Sequence, residues 1–377
     1  MSKNDSSRKT MFVFQGGGAL GSYQMGAYQA LTEFGYIPQM IVGISIGAIN
    51  AAIIAGNKPE HRLERLQKFW HTITTSIPVP LIDFYGLGRI HNWIGAQKAL
   101  LHGQDGFYKP RLVNPSTLTK AKPDKISYYD TAPLKETLKK LVDFEFLNQK
   151  HMRLALGAVD IDSGDFIFFD SFEEEITPEH IMASAALPPG FPAVEIKGRY
   201  YVDGGVYSNT PLVKGINDFI ATQNDKADRL CFIVDLFSAK GKNPENLEEV
   251  LERVKDIQYS SYSRGANPFY SVATKLADSI NYLSKYLTPE GKADKKVQEI
   301  LDMAYVHKVD IIHLIYQSAN KHVLHSKDYN FSREASFKHN EAGYKQTKEL
   351  IEKYGHEWLK NSHKGFSLYS QEGVIHR

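Results

Sequence analysis

Met40-Ile41-Val42-Gly43-Ile44-Ser45-Ile46-Gly47-Ala48-Ile49-Asn50, continued by Ala51-Ala52-Ile53-Ile54-Ala55-Gly56, decides how the rest of the chain is read. A short apolar run rich in β-branched residues ends at Gly43, and an Ala/Ile-rich run of helical character starts just past Gly47. Between them stands Gly-x-Ser-x-Gly, the pattern of a nucleophile elbow. A strand that turns sharply into a helix with serine at the apex has no room for side chains two positions to either side, and Gly43 and Gly47 occupy those places. The Ser45 hydroxyl is then exposed, and the new helix aims its positive end at it. The same residues also fit a buried strand-turn-helix in which Ser45 only caps the helix. Residues 40–56 alone do not decide between the two.

Upstream, Met11-Phe12-Val13-Phe14 reads as a first buried strand. It leads through Gln15-Gly16-Gly17-Gly18-Ala19-Leu20-Gly21 into a helix over about 22–34, with Met25, Tyr28 and Leu31 at helical spacing and Gly35 as its stop. The glycine spacing is not Gly-x-Gly-x-x-Gly, and no acidic residue follows where a ribose partner belongs, so a dinucleotide loop does not fit. A Gly-Lys-Ser/Thr ending is absent, so it is not a Walker loop. A nest of backbone N–H groups for a developing negative charge remains. Two successive strand-loop-helix units imply parallel strands joined by a right-handed crossover. Both loops then lie at the carboxyl ends of adjacent strands, where Ser45 and Gly16–Gly18 face each other.

The composition is that of an ordinary globular protein, 42% hydrophobic and 23% charged over 377 residues. A net charge of +2 points to no nucleic-acid partner. Cys231 is the only cysteine, which rules out an intramolecular disulfide and suits a reducing compartment; its apolar setting, Leu230-Cys231-Phe232-Ile233-Val234, is that of a buried strand. Met1 to Thr10 is polar and lacks the apolar core of a signal peptide, and Ile41 to Ala55 is too short for a membrane span. A cytoplasmic location is expected, with export by a route without such a leader left open.

From Lys58 to Lys150 the pattern is less regular. Leu63, Leu66, Phe69 and Trp70 suggest one amphipathic helix, Pro78 and Pro80 break the pattern, and Ile90, Trp93, Ile94, Gln97, Leu100 and Leu101 suggest a second. Gly103 to Pro115, with Phe107 and Tyr108, is rich in turns. This region is either a cap that guides acyl chains or helices packed over the sheet. Further strands are expected at 153–160, 165–170, 193–196 and 200–202 (the last two a hairpin around Gly198), 230–235 and 309–316, the last closing the sheet. Helices are expected at 180–186, 247–258, 295–304 and 341–358, the last a solvated outer face rich in Lys and Glu.

A serine nucleophile needs a base. None of the 14 histidines has a marked setting: His180 precedes an Ala-rich helix, His313 sits in an apolar strand, and His307, His322, His325 and His339 read as surface. Asp203 is the better candidate. It ends the apolar strand Tyr200-Tyr201-Val202, and Gly204 and Gly205 keep side chains clear. A carboxylate held there and partly desolvated gains affinity for a proton. Taken alone, Asp-Gly-Gly is also a plain turn.

In order, Gly16-Gly17-Gly18-x-x-Gly21, Gly43-x-Ser45-x-Gly47 and Asp203-Gly204-Gly205 resemble the patatin-like phospholipase family, from about Phe12 to Pro211. Ala183-Ser184-Ala185-Ala186-Leu187-Pro188 with Phe191-Pro192 is similar to it too, and Lys327-Asp328-Tyr329-x-Phe331-Ser332-Arg333 resembles a C-terminal extension of a bacterial branch. The resemblance implies an α/β fold with a mostly parallel central sheet flanked by helices in three α/β/α layers. It implies hydrolysis of lipid acyl esters by a Ser45–Asp203 dyad, with an oxyanion hole at Gly16, Gly17 and Gly18 and no histidine. Residues 1–10 then form a flexible N-terminus, 11–215 the catalytic core with a cap insertion at about 58–150, and 216–377 an extension that completes the same domain. Two departures stand out: Leu20 where many members carry Lys or Arg, and Gln15 where Asp or a similar residue is usual. No cluster has metal-ligand spacing, so neither metal nor cofactor is expected; the partners are a lipid or acyl-ester substrate and a transient membrane surface, with a homo-oligomer left open. The rival readings are an α/β-hydrolase with a Ser-His-Asp set drawing on His313 or His322, and a lipid-binding module without turnover.

Overall fold

Runs that are apolar at every position belong in the middle of a parallel sheet covered on both faces. In a computed structural model, which describes residues 8–76, 95, 97–112, 120–210, 219, 228–303, 309–317, 327–358, 366–371 and 373–376, the two opening runs lie there. The strands are β1 (Arg8–Phe14), β2 (Met40–Gly43), β3 (Lys109–Pro110), β4 (Tyr129–Asp130), β5 (Arg153–Asp160), β6 (Phe166–Asp170), β7 (Val194–Ile196), β8 (Arg199–Asp203), β9 (Asp228–Asp235), β10 (Val309–Ile315), β11 (Phe366–Ser370) and β12 (Gly373–His376). Ten of them form one sheet in the order β12-β11-β10-β9-β1-β2-β5-β8-β7, with β6 paired to β5 off that path. The pairs from β11 across to β5 are parallel, while β12, β6, β8 and β7 are antiparallel to their neighbours. β3 and β4 make a separate short ladder.

Alternation along β1 and β2 fills two cores. Phe12, Phe14 and Ile41 join the larger one with Ile49, Ile53, Leu66 and Trp70, whereas Met11, Val13, Met40 and Val42 join Cys231, Ile233 and Ile311 on the opposite face. Each such fully buried side chain stabilises the fold by about 1.5–3 kcal/mol. Cys231 is therefore a packing residue, and burial pushes its thiol well above the usual range. The helices that matter for the site are α1 (Ser22–Glu33), α2 (Ile46–Ala55), α3 (Pro59–Ile73), α4 (Ala132–Leu141), α5 (Pro178–Ser184), α6 (Leu247–Ser284) and α7 (Arg333–Tyr354).

Four expectations need correction. Residues 8–10 are not a flexible terminus, because β1 starts at Arg8, opposite Asp228. β10 does not close the sheet: β11 adds to it in parallel and β12 turns back on β11. The helix expected at 247–258 runs on to Ser284. The last helix is no solvated outer face. It starts at Arg333 and crosses α1 so closely that a Cβ on Gly343 would strike the Tyr23 carbonyl and one on Gly26 the Asn340 carbonyl. Its Thr347, Leu350 and Ile351 are buried. Of the second helix expected in the cap region, 97–102 are helical; Ile90, Trp93 and Ile94 lie outside the described residues, as do Pro78, Pro80, Pro211, His307, His322 and His325.

Candidate active site

Register sets the height of each functional side chain. Gly43 of β2 is level with Leu156 of β5, and Asp203 of β8 is level with Ala158. β8 runs antiparallel and overlaps only the last residues of β5, Ala158–Asp160. Its end therefore comes down beside the residue two past Gly43, which is Ser45.

Ser45 has φ 57° and ψ −127°, a backbone region that costs a non-glycine residue about 1–3 kcal/mol. The turn is held by Gly47 N–H donating to the Ile44 carbonyl at 2.8 Å, and a Cβ on Gly43 would lie 2.6 Å from the Gly47 carbonyl carbon. The side chain of Ser45 makes no capping bond to α2, so the helix-cap reading of this serine finds no support. It is half-buried and lines a cavity of about 300 Å³.

The glycine loop closes over Ser45 from β1. A Cβ on Gly16 would come within 2.9 Å of the Ser45 Cβ. Gly16 N–H donates to the Asn209 carbonyl at 3.4 Å, and Asn209 Nδ2 donates back to the Gly16 carbonyl at 3.0 Å. Among the described residues nothing accepts from the N–H groups of Gly17 and Gly18, nor from that of Ile46 at the start of α2. Gly18 has φ +53° and packs directly on the Asp328 carbonyl. Gln15 anchors the loop: its Nε2 donates to Thr210 Oγ1 and to the Tyr259 carbonyl, both at 2.9 Å, and its Oε1 accepts from Leu236 N–H at 2.6 Å and Phe237 N–H at 3.1 Å. Leu20 is fully buried in the larger core and does not line the cavity.

Asp203 is 1% exposed. Its Oδ1 accepts from Gly205 N–H at 2.7 Å, while Oδ2 is buried with no partner in hydrogen-bond geometry. Burial pushes its pKa up to about 7, against the opposing pull of the Ser45 hydroxyl and the Gly205 N–H. The hydroxyl thus lies within the carboxylate's reach without an aligned bond to it, the loose geometry common in sites without substrate. One short segment ties both groups down: Ser45 N–H donates to the Ser184 carbonyl at 2.9 Å and Asp203 N–H to the Ala186 carbonyl at 3.0 Å. Ser184 Oγ fixes that segment by donating to the Gly157 carbonyl at 2.6 Å.

No histidine among the described residues lines the cavity. His180 accepts the Thr177 N–H at the start of α5, and burial lowers its proton affinity. His313, candidate base of the rival set, pairs with Asp235 at 2.6 Å instead of with Asp203. His339 is half-buried on α7, not a surface residue, and desolvation of its ring holds its pKa down to about 4. Among the described residues no group of His, Cys, Asp or Glu is arranged to hold a metal ion.

The walls are apolar and aromatic. Phe107, Tyr108 and Phe191 pack against one another, and Phe107 and Tyr108 also against Phe331, with Phe107 to Phe331 centroids 5.8 Å apart. Phe237, Tyr259 and Tyr329 complete the enclosure. No local sequence signal marks these three as wall residues, nor Asn209, Gln15 and Ser184 as tethers of the site. The motifs around Ser184 and Asp328 both reach the site, one as its tether and the other in its wall.

Residues 12–214 match the family described as Patatin-like phospholipase, and residues 257–364 match one described as Patatin phospholipase. Among solved structures the chain is similar to VipD from Legionella pneumophila, at 16% identity over 92% of this chain and 67% of that chain, with a TM-score of 0.40. It is also similar to the heterodimeric ExoU–SpcU complex from the type III secretion system of Pseudomonas aeruginosa, at 14% identity over 93% of this chain and 77% of that chain, with a TM-score of 0.31. No curated protein matches it.

Proposed function

The chain belongs to the patatin-like phospholipase family, a family of lipid acyl hydrolases, and from that premise we propose that it cleaves acyl esters with Ser45 as nucleophile and Asp203 as its base. One observation carries the reading: a buried carboxylate oxygen without a partner lies beside a strained, half-buried serine. Oδ2 of Asp203 takes the proton as Ser45 Oγ attacks the ester carbonyl. The oxyanion is received by the open N–H groups of Gly17 and Gly18, with the positive end of α2 behind them; one such donor is worth roughly 2.7–4 kcal/mol. Gly16 N–H, directed at the Asn209 carbonyl, has the smaller part. The tetrahedral intermediate collapses, the alcohol leaves with the proton from Asp203, and a water deprotonated by the same carboxylate hydrolyses the acyl-enzyme.

A pKa near 7 suits a base that works at neutral pH, since the proton must be both accepted and returned. The aromatic walls suit an acyl chain. Lipase, phospholipase A and lysophospholipase activities all fit this chemistry, and a transient contact with a lipid surface would deliver the substrate. The test uses p-nitrophenyl butyrate and a fluorophosphonate probe. Ser45→Ala should lose both hydrolysis and labelling, and Asp203→Asn should lose hydrolysis by about 10²–10⁴-fold. Full activity in purified Asp203→Asn protein would assign the base elsewhere.

A further inference from the structure

Resting on that reading, we propose that the site selects esters whose alcohol is uncharged, glycerides in preference to phospholipids. A phosphate drawn into a water-poor cavity needs a cation or directed N–H groups to replace its hydration. Among the described residues that line the cavity there is no Lys, Arg or His; the charged ones are Asp203 and Asp328.

Among the described residues, the lysines behind the cavity wall are already taken. Lys255 Nζ binds both carboxylate oxygens of Asp328, at 2.6 and 2.8 Å, and lies 4.8 Å from the Tyr329 ring centroid. Lys327 Nζ binds Asp256 at 2.6 Å and Glu252 at 3.2 Å, over the ring of Phe237. Two lysines thus meet three carboxylates behind this wall, and neither ammonium is left for a bound anion. The flanking guanidinium groups are also directed at protein acceptors: Arg111 at Ser127 Oγ and the Asp124 carbonyl, Arg253 at the carbonyls of Ser238 and Ala239. The open N–H groups at the glycine loop and α2 are needed by the oxyanion and are not available to a second anion.

What the wall does offer is neutral polarity. The hydroxyls of Tyr108, Tyr259 and Tyr329 have no partner among the described residues, and burial keeps all three protonated. Such groups match the hydroxyls and ester oxygens of glycerol, which need hydrogen bonds but no countercharge. A phosphodiester placed there would find no free countercharge, because Lys255 is held by both carboxylate oxygens of Asp328.

The experiment compares dioleoylglycerol, dioleoylphosphatidylcholine and dioleoylphosphatidylglycerol in the same neutral-detergent micelles, with p-nitrophenyl butyrate as a control. The intact chain should show a kcat/KM at least about tenfold higher for dioleoylglycerol than for either phospholipid. Equal rates, faster phospholipid cleavage, or cleavage of p-nitrophenyl butyrate with none of the three lipids would overturn the proposal. Failure to cleave any ester would instead overturn the acyl-hydrolase reading beneath it. A second arm places a cation in the wall: Tyr329→Arg should lower the ratio of dioleoylglycerol to dioleoylphosphatidylglycerol at least about threefold, whatever its overall rate. An unchanged ratio in that variant counts against the proposal.

Discussion

The two halves of the cavity are made in different ways. The half at the ends of β1, β2 and β8 places its groups with the backbone: strand ends in register, a strained turn, and a loop held by Gln15 and Asn209. The half supplied by Phe237, Tyr259, Tyr329 and Phe331 encloses space with rings, and it is held by side-chain ion pairs such as Lys255–Asp328. Chemistry needs position to within a fraction of an ångström, which hydrogen-bonded backbone supplies. Enclosure needs volume and apolar surface, which side chains supply and can readjust. Changes in the first half should therefore act on turnover, and changes in the second on the choice of substrate.

The sharpest test falls where the halves touch. Gly18→Ala puts a methyl at φ +53° and against the Asp328 carbonyl, so it displaces the loop. A loss in kcat of about 10²–10³, with KM little altered, is expected from steady-state kinetics on p-nitrophenyl esters, the scale of one lost oxyanion donor. A change confined to KM would mean that the loop only shapes the pocket. Next comes pH. With Asp203 at about 7, log kcat/KM should fall with unit slope, roughly tenfold per pH unit, as pH drops below 7. A profile flat down to pH 5 would sink the assignment.

The same shift has a stability counterpart. A carboxyl raised from 3.8 to about 7 by burial favours the fold in its protonated form, so the contribution is present below about pH 4 and lost as pH rises through 7. Asp203→Asn removes the buried charge. At pH 8 it should be more stable than the wild type by up to roughly 4 kcal/mol, at pH 5 by less than half of that, and equal only below about pH 4, as read by thermal unfolding across this range. The smallest effect on turnover is expected in the second half. Lys255→Met frees Asp328 and loosens Tyr329. It should reduce kcat/KM for p-nitrophenyl palmitate about threefold more than for the butyrate, because only the long chain uses that wall. Equal losses on both esters would erase the distinction between the halves.

Much of the first half was legible in the sequence, because its signals are local. β-branched runs at 11–14 and 40–43, glycines at fixed offsets around Ser45, and a strand ending at Asp203 each carry their meaning within a few residues. The second half was not. Tyr329 and Phe331 reach the cavity through contacts with residues far away in the chain, and no periodicity reports such contacts. The narrow glycine crossing of α7 with α1 is hidden in a stretch whose Lys and Glu content suggests exposure. β11 and β12 were missed because they are short and lie at the edge of the sheet, past a strand that looked like its natural end.

Ser45 and Asp203 arrive from different strands, yet both main chains hang on the Ser184–Ala186 segment. Their spacing is thereby insulated from bending of the wide sheet: a twist that tilts one strand end carries its counterpart along on the same mount. Substitutions at the outer strands can then alter solubility or thermal tolerance with the reacting pair still in alignment, so the periphery is free to diversify while the centre keeps its gauge.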